Sequence, residues 1–167
     1  MVVAVAVQLP LIQQYIIKMI RLADHKDTFV VVELLRRFLT ETSYSQAEQA
    51  IKDTENLCKI TWLVQQHGYI WLAFQDEEPV GLLMAVKEPN MWLPSARELK
   101  ELVWYVVPEH RQSSQGGKLF LQYCKKGDEL LSRGEIQGYF TTQMTTTRNI
   151  DLESRGFKLT ERTFLKE

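Results

Sequence analysis

A chain of 167 residues, 45% hydrophobic and 25% charged, is long enough for one domain with a real core and needs no disulfide or metal to hold it together. Its 20 basic residues balance 21 acidic ones, leaving a net charge of −1, which removes the electrostatic case for a nucleic-acid or membrane-surface protein. Cys58 and Cys124 lack ligand spacing, and the apolar Met1–Val7 run is broken by Gln8 and Pro10 with no basic leader, so the expectation is a cytoplasmic protein without export signal or membrane span.

No repeat or low-complexity linker divides the chain. Residues 1–14 form an N-terminal extension or extra strand, and 15–167 form one domain. Tyr15–Leu22 is Ile-rich and predicts a first strand. Residues 28–39 place Val31, Leu34, Leu35 and Phe38 on one helical face, although the run Val30-Val31-Val32 also suits a strand. Ser45-Gln46-Ala47-Glu48 reads as a capping box opening one long helix, with Ala47, Ala50, Ile51, Leu57, Cys58 and Val64 at helical spacing and Gly68 as its stop.

Tyr69–Phe74 and Val80–Val86 flank Gln75-Asp76-Glu77-Glu78-Pro79, which predicts an antiparallel hairpin with a loop of about five residues. A Pro-flanked connection leads to a third strand, Leu99–Val107, ended by Pro108, which has no N–H to donate to a ladder. Gln115–Ser132 carries Leu119, Phe120, Tyr123, Cys124, Leu130 and Leu131 on one face, is closed by Arg133-Gly134, and holds an internal Gly127 that suggests close packing. Ile136–Thr141 is a further strand, residues 146–154 a short helix, and Phe157–Leu165 a last strand or pair of strands. The order is mixed α/β, with a parallel crossover through the 115–132 helix.

The stretch from Glu101 to Lys118 runs from a strand through a small-residue loop directly into a helix. Small residues let backbone approach a ligand, and the free N–H groups and dipole of a first helical turn favour an anion, so a phosphate or pyrophosphate is the expected guest. Two familiar phosphate loops fail on spacing. A P-loop ending in Gly117-Lys118 would need Gly at 112 and Ser or Thr at 119, where the chain has Gln112 and Leu119. A dinucleotide fingerprint needs three spaced glycines, and here there is only the adjacent pair Gly116-Gly117.

The stretch Val106-Val107-Pro108-Glu109-His110-Arg111-Gln112-Ser113-Ser114-Gln115-Gly116, followed by Leu119, resembles the acetyl-CoA motif V-x-P-x-x-[RQ]-x-x-G-x-[GA] of the GCN5-related N-acetyltransferase superfamily, departing from it at Ser114. A serine fits there if its φ is negative. Gly156-Phe157 is similar to the Gly-Phe before the family's terminal strand region, and Glu-Leu-Val-Trp-Tyr-Val is similar to acetyltransferases of tailed phages. In a phage-encoded chain the compartment would be the host cytoplasm.

The resemblance implies the acyl-CoA N-acyltransferase fold: one mixed α/β domain whose sheet is splayed at its centre and flanked by helices. It also implies acetyl-CoA as cofactor. Backbone at Tyr105, Val106 and Val107 would pair with pantetheine as an added strand. The N–H groups of Gln112, Ser113, Ser114, Gln115, Gly116 and Gly117 would hold the pyrophosphate, with Arg111 and Lys118 nearby for charge.

The family chemistry is direct attack of a primary amine on the thioester, so a base must take the ammonium proton. Glu101 is the candidate, five residues before Val106, where similar protein-acetylating members place their glutamate. Strand alternation puts Glu101, Val103, Tyr105 and Val107 on one face, with Glu98 on the other, and burial would raise the Glu101 pKa. A solvated strand-edge carboxylate is the plainer reading.

The family's usual tyrosine acid falls at Leu152, its asparagine at Thr145, and Asn149 stands at another offset, so no acid carries over. Tyr139 on the flanking strand is the substitute candidate. Trp92 could line the acceptor pocket, while Trp62, Trp71 and Trp104 read as core. His25, His67 and His110 show no metal-ligand spacing, and no metal is expected. The expected partner is an amine acceptor, small molecule or protein, with no nucleic acid and no membrane, and a homodimer is left open. The alternative is a catalytically weak or inactive binding module that retains CoA, favoured by Leu152 and Ser114.

Overall fold

The computed structural model describes residues 20–42, 44–143 and 150–160. Strand β1, Ile20–Leu22, covers the described end of the expected Tyr15–Leu22 strand, whose earlier residues and the 1–14 extension lie outside the described residues. A 3-10 turn at His25–Asp27 follows, capped reciprocally by Asp24 and Asp27: Lys26 N–H donates to the Asp24 carboxylate and Asp24 N–H to that of Asp27. Helix α1, Thr28–Thr40, starts from this cap. The Val30–Val32 ambiguity resolves to helix because Val31, Leu34 and Leu35 bury along the i, i+3, i+4 stripe against the sheet, which outweighs a weak local preference.

The expected long helix is two, α2 over Ala47–Lys52 and α3 over Thr54–His67. Asp53 caps α3 by accepting from Asn56 N–H at 2.9 Å, and Arg36 from α1 takes the groups the break exposes, donating to the Ile51 carbonyl at 3.2 Å and to Thr54 Oγ1 at 2.5 Å. The predicted capping box is also displaced: Gln46 stands at the α2 cap position and makes no side-chain cap bond.

Strands β2, Gly68–Gln75, and β3, Glu78–Pro89, form the expected hairpin, but its loop is two residues rather than five. Asp76 and Glu77 both take positive φ, 48° and 70°, and let Gln75 pair directly with Glu78. Pro79 is accommodated where the register shifts past Phe74. Strand β4, Arg97–Val106, is antiparallel to β3, and β5, Gly138–Phe140, is parallel to β4. The described strands make one mixed sheet in the order β1-β2-β3-β4-β5.

Helix α4, Gln115–Ser132, makes the crossover, with Leu119, Phe120, Tyr123 and Leu130 buried on the sheet. Gly134, at φ 69°, ends it, with its own N–H and that of Glu135 returning to the Leu131 and Leu130 carbonyls. Gly127 is where β5 comes nearest: a Cβ there would stand 2.7 Å from the Tyr139 ring. Of the expected 146–154 helix, the described part contains only a 3-10 turn at Glu153–Arg155. Phe157–Thr160 is irregular, since Phe157 packs into the core beside Phe120 and Tyr139 instead of joining a ladder, and the remainder of the expected last strand lies outside the described residues. No helix among the described residues is long and apolar enough to cross a membrane.

Candidate active site

The site lies where β4 and β5 stop being a ladder. The two strands pair from Glu98 with Gly138 to Lys100 with Phe140, and beyond that rung side chains replace backbone. Tyr123, reaching up from α4, donates its hydroxyl to the Phe140 carbonyl and, at 3.2 Å, to that of Leu99. One residue further, the Glu101 carboxylate accepts from Thr142 N–H at 2.9 Å and from Thr141 Oγ1 at 3.1 Å. Tyr123 thus braces the last rung, the Glu101 carboxylate takes the Thr142 N–H that continued pairing with β4 would have used, and the strands part.

A bulge in β4 decides which way Glu101 faces. Met84 pairs with Val103 and Ala85 with Glu101, so Leu102 has no partner on β3. The extra residue reverses the alternation: Glu101 lies on the face of Trp104 and Val106, opposite Val103 and Tyr105, and the expected single row of Glu101, Val103, Tyr105 and Val107 is corrected accordingly. The two faces have different neighbours. Trp104 stacks on Phe120 of α4 at 4.7 Å, whereas Tyr105 meets Phe38 of α1 edge-on at 6.0 Å. Glu98 lies on the face opposite Glu101 and pairs with Lys100 at 3.5 Å and with Asn90. Burial pushes the Glu101 pKa upward, and the two hydrogen bonds from Thr142 and Thr141 only partly offset it.

The loop after β4 is built for an anion. The backbone N–H groups of Gln112, Ser114, Gly116 and Gly117 have no acceptor among the described residues, and that of Gln115 has only Ser113 Oγ at 3.3 Å. They surround the first turn of an 18-residue helix, whose dipole adds positive potential. Ser114 has φ −78°, so the departure from glycine costs no backbone strain. A Cβ on Gly117 would meet nothing within 4 Å and one on Gly116 nothing closer than 3.5 Å, which leaves room above the turn. These residues fit a pyrophosphate.

The cations contribute differently. Arg111 turns inward, donating Nε–H to the Val106 carbonyl at 2.9 Å, pairing with Glu41 at the end of α1, and lying 5.6 Å over the Tyr105 ring. Tyr105 in turn donates its hydroxyl to Glu41 at 2.8 Å. Of the three residues expected to offer backbone to pantetheine, Val106 directs its carbonyl away from β3, while Val107 N–H is bonded to Val80 within the sheet.

Tyr139 packs edge-on against Tyr123 and Phe157, and its hydroxyl donates to Asp128 on α4 at 2.9 Å. Trp92 is 85% exposed, on a turn held by Asn90 Oδ1, which accepts from Trp92 and Leu93 N–H. Trp71 and Trp104 pack into the core as expected, but Trp62 lies on the outer face of α3 at 58% exposure. Both cysteines are half-buried free thiols, and burial raises the Cys124 pKa. Leu152 packs against the core, while Thr145 and Asn149 fall outside the described residues.

The structure therefore gathers Glu101 with the loop of open N–H groups on one strand and its following turn. It adds Tyr123, Thr141 and Thr142, which the sequence reading missed; a tyrosine at an apolar helix position signals packing before it signals a hydrogen bond.

A mixed sheet with a strand pair parted beside an anion-binding helix N-terminus defines an acyl-CoA N-acyltransferase fold. The model of the acetyltransferase (GNAT) family matches residues 31–157, and the chain belongs to that family. Similar solved structures include a protein described as a possible acetyltransferase from Clostridium difficile 630, at 19% identity and TM-score 0.63, covering 89% of this chain and 95% of that one. An acetyltransferase of Trypanosoma brucei matches at 16% identity and TM-score 0.62, over 89% and 97% of the two chains. A protein described as a predicted acetyltransferase with acetyl-CoA, from Clostridium acetobutylicum, matches at 15% identity and TM-score 0.59, over 89% and 94% of the two chains. None of the curated proteins matches this sequence.

Proposed function

We propose that this chain moves an acetyl group from acetyl-CoA to a primary amine, with Glu101 as the base. The observation that carries the reading is the Glu101 carboxylate, held by Thr141 and Thr142 at the point where β4 and β5 separate, on the strand that leads into the anion-binding loop. The N–H groups of Gln112, Ser114, Gln115, Gly116 and Gly117 bind the pyrophosphate, the expected Ser113 N–H being taken by the His110 carbonyl at 3.0 Å, and the Val106 edge of β4 aligns pantetheine as an added strand. When bound, acetyl-CoA supplies the acyl carbon that the amine attacks.

Glu101 takes a proton from the incoming ammonium, directly or through one water. Its raised proton affinity, caused by burial, brings it nearer that task than an exposed glutamate would be. A leaving thiolate with an ordinary pKa of about 8.5 departs without a strong acid. Trp92 stands on the connection entering β4, where it can meet an acceptor.

The second reading is a module that binds CoA without turnover. Two features favour it: Leu152 at the family's acid position, and a Tyr139 hydroxyl already committed to Asp128. Glu101→Gln separates the two. The transferase reading expects at least about a 100-fold loss of kcat with CoA affinity unchanged, the usual scale for a general base. Wild-type protein that binds CoA but acetylates no amine supports the module.

A further inference from the structure

We propose that Tyr123 is a positioning residue: its hydroxyl sets the point at which β4 and β5 part, and so holds the Glu101 carboxylate on Thr142. This inference about the site's geometry rests on the transferase reading for its catalytic consequence.

Tyr123 has no exposed surface, and its ring is fixed edge-on against Trp71 at 6.4 Å and against Tyr139 at 5.6 Å. The hydroxyl is thereby delivered between the Leu99 and Phe140 carbonyls, one on each of the two strands. A phenol has one proton to give, shared here between one carbonyl on each strand, so the hydroxyl ties the last rung of the β4–β5 ladder together. Removing it takes away the side-chain bond that spans both strands at that rung, and the end of the ladder is free to loosen.

The next groups along are those of the site. Phe140 is two residues before Thr142, whose N–H holds Glu101, and Leu99 is two residues before Glu101 itself. A movement at the Tyr123 contact is therefore transmitted over one strand repeat to both ends of the Glu101–Thr142 bond. Tyr123 acts on the chemistry only through Glu101. Its hydroxyl is fully buried, and no reacting atom needs to reach it.

The test compares full-length wild type with Tyr123→Phe, Glu101→Gln and the double variant; the first keeps the ring and removes only the oxygen. In amide hydrogen exchange, Tyr123→Phe is expected to accelerate exchange at Thr142 about tenfold or more, with the β2–β3 ladder unchanged. In acetyl transfer from acetyl-CoA to lysine peptide, spermidine and kanamycin, kcat is expected to fall about tenfold or more with KM for acetyl-CoA unaltered. In the Glu101→Gln background the same change should cost nothing further.

Unchanged exchange at Thr142 overturns the proposal, as does acceleration spread evenly over the sheet, and so does full additivity of the two substitutions. If no amine is acetylated by wild type, the transferase reading is what fails, and the Thr142 exchange still decides whether Tyr123 sets the parting of the strands.

Discussion

Glu101 is the residue whose surroundings make the sharpest claims. Its pKa is raised by burial, so the acid limb of kcat/KM should lie above the ordinary glutamate range, with activity rising as pH passes upward through the Glu101 pKa and the carboxylate forms. In Glu101→Gln that limb should vanish, leaving only the titration of the acceptor amine; a pH-rate profile of both proteins checks it. A second carboxylate works the opposite way. The hydrogen bonds from Arg21, at 2.6 and 2.7 Å, pull the Asp27 pKa down, and Asp24 N–H adds to this. Its folded pKa lies below the unfolded value of about 3.9, so its contribution is complete above that pH and is lost as pH falls through the folded value. Asp27→Asn should lower stability at pH 7 by about 1–2 kcal/mol and flatten the decline below about pH 4, measured by urea unfolding across pH. The sequence pointed to Glu101 by its offset from Val106. It gave the wrong facing because an unpaired Leu102 leaves no mark in a run of β-forming residues. Thr141 and Thr142 were illegible for another reason, since what makes them partners of Glu101 is the third dimension of the parted strands.

The elements show where local pattern decides and where it yields. Helix α4 was fully legible in its bounds, because its apolar stripe, its Gly134 stop and its small-residue start all agree. Gly127 looked like a weakness, and the fold explains it: the Tyr139 ring lies where a side chain would be. Gly127→Ala should therefore cost about 1–2 kcal/mol, because pressing a methyl into that ring outweighs the roughly 1 kcal/mol that alanine gains in a helix. The midpoint of chemical unfolding reads the balance, and an increase in stability would show that the ring can step aside freely. The α2–α3 break was hidden because half its cause sits on α1, in the reach of Arg36 to Ile51 and Thr54. The hairpin loop was misjudged for a different reason. Asp76-Glu77 lacks the Asn-Gly signature of a two-residue turn, yet takes the left-handed conformation such a turn requires.

At the scale of the molecule, the alternation of strands and helices was enough to infer a mixed sheet with a parallel crossover, and the loop motif was enough to suggest which family uses it. The parting of β4 from β5 follows from neither. It falls where Tyr123 braces the last rung and the Glu101 carboxylate takes the next N–H, an arrangement that joins α4 to β4 across more than twenty residues of sequence. A ligand that fills the resulting edge and loop should stabilise the whole domain. Acetyl-CoA or CoA at about 100 times its dissociation constant adds about 2.7 kcal/mol, so both should raise the melting temperature, while ATP and NAD at the same concentration should not. Absence of any shift would remove the cofactor assignment.

The Trp104 indole donates its N–H to the Gly116 carbonyl at 3.2 Å while its ring lies flat on Phe120. That places a native fluorophore on the first turn of α4, beside the N–H groups assigned to the pyrophosphate. Occupancy of the loop can thus be followed by the protein's own emission, without a label. Trp92 and Trp62, open to water, supply a quencher-sensitive background that collisional quenching separates from Trp104 and the buried Trp71, and Trp71→Phe then leaves Trp104 as the reporter.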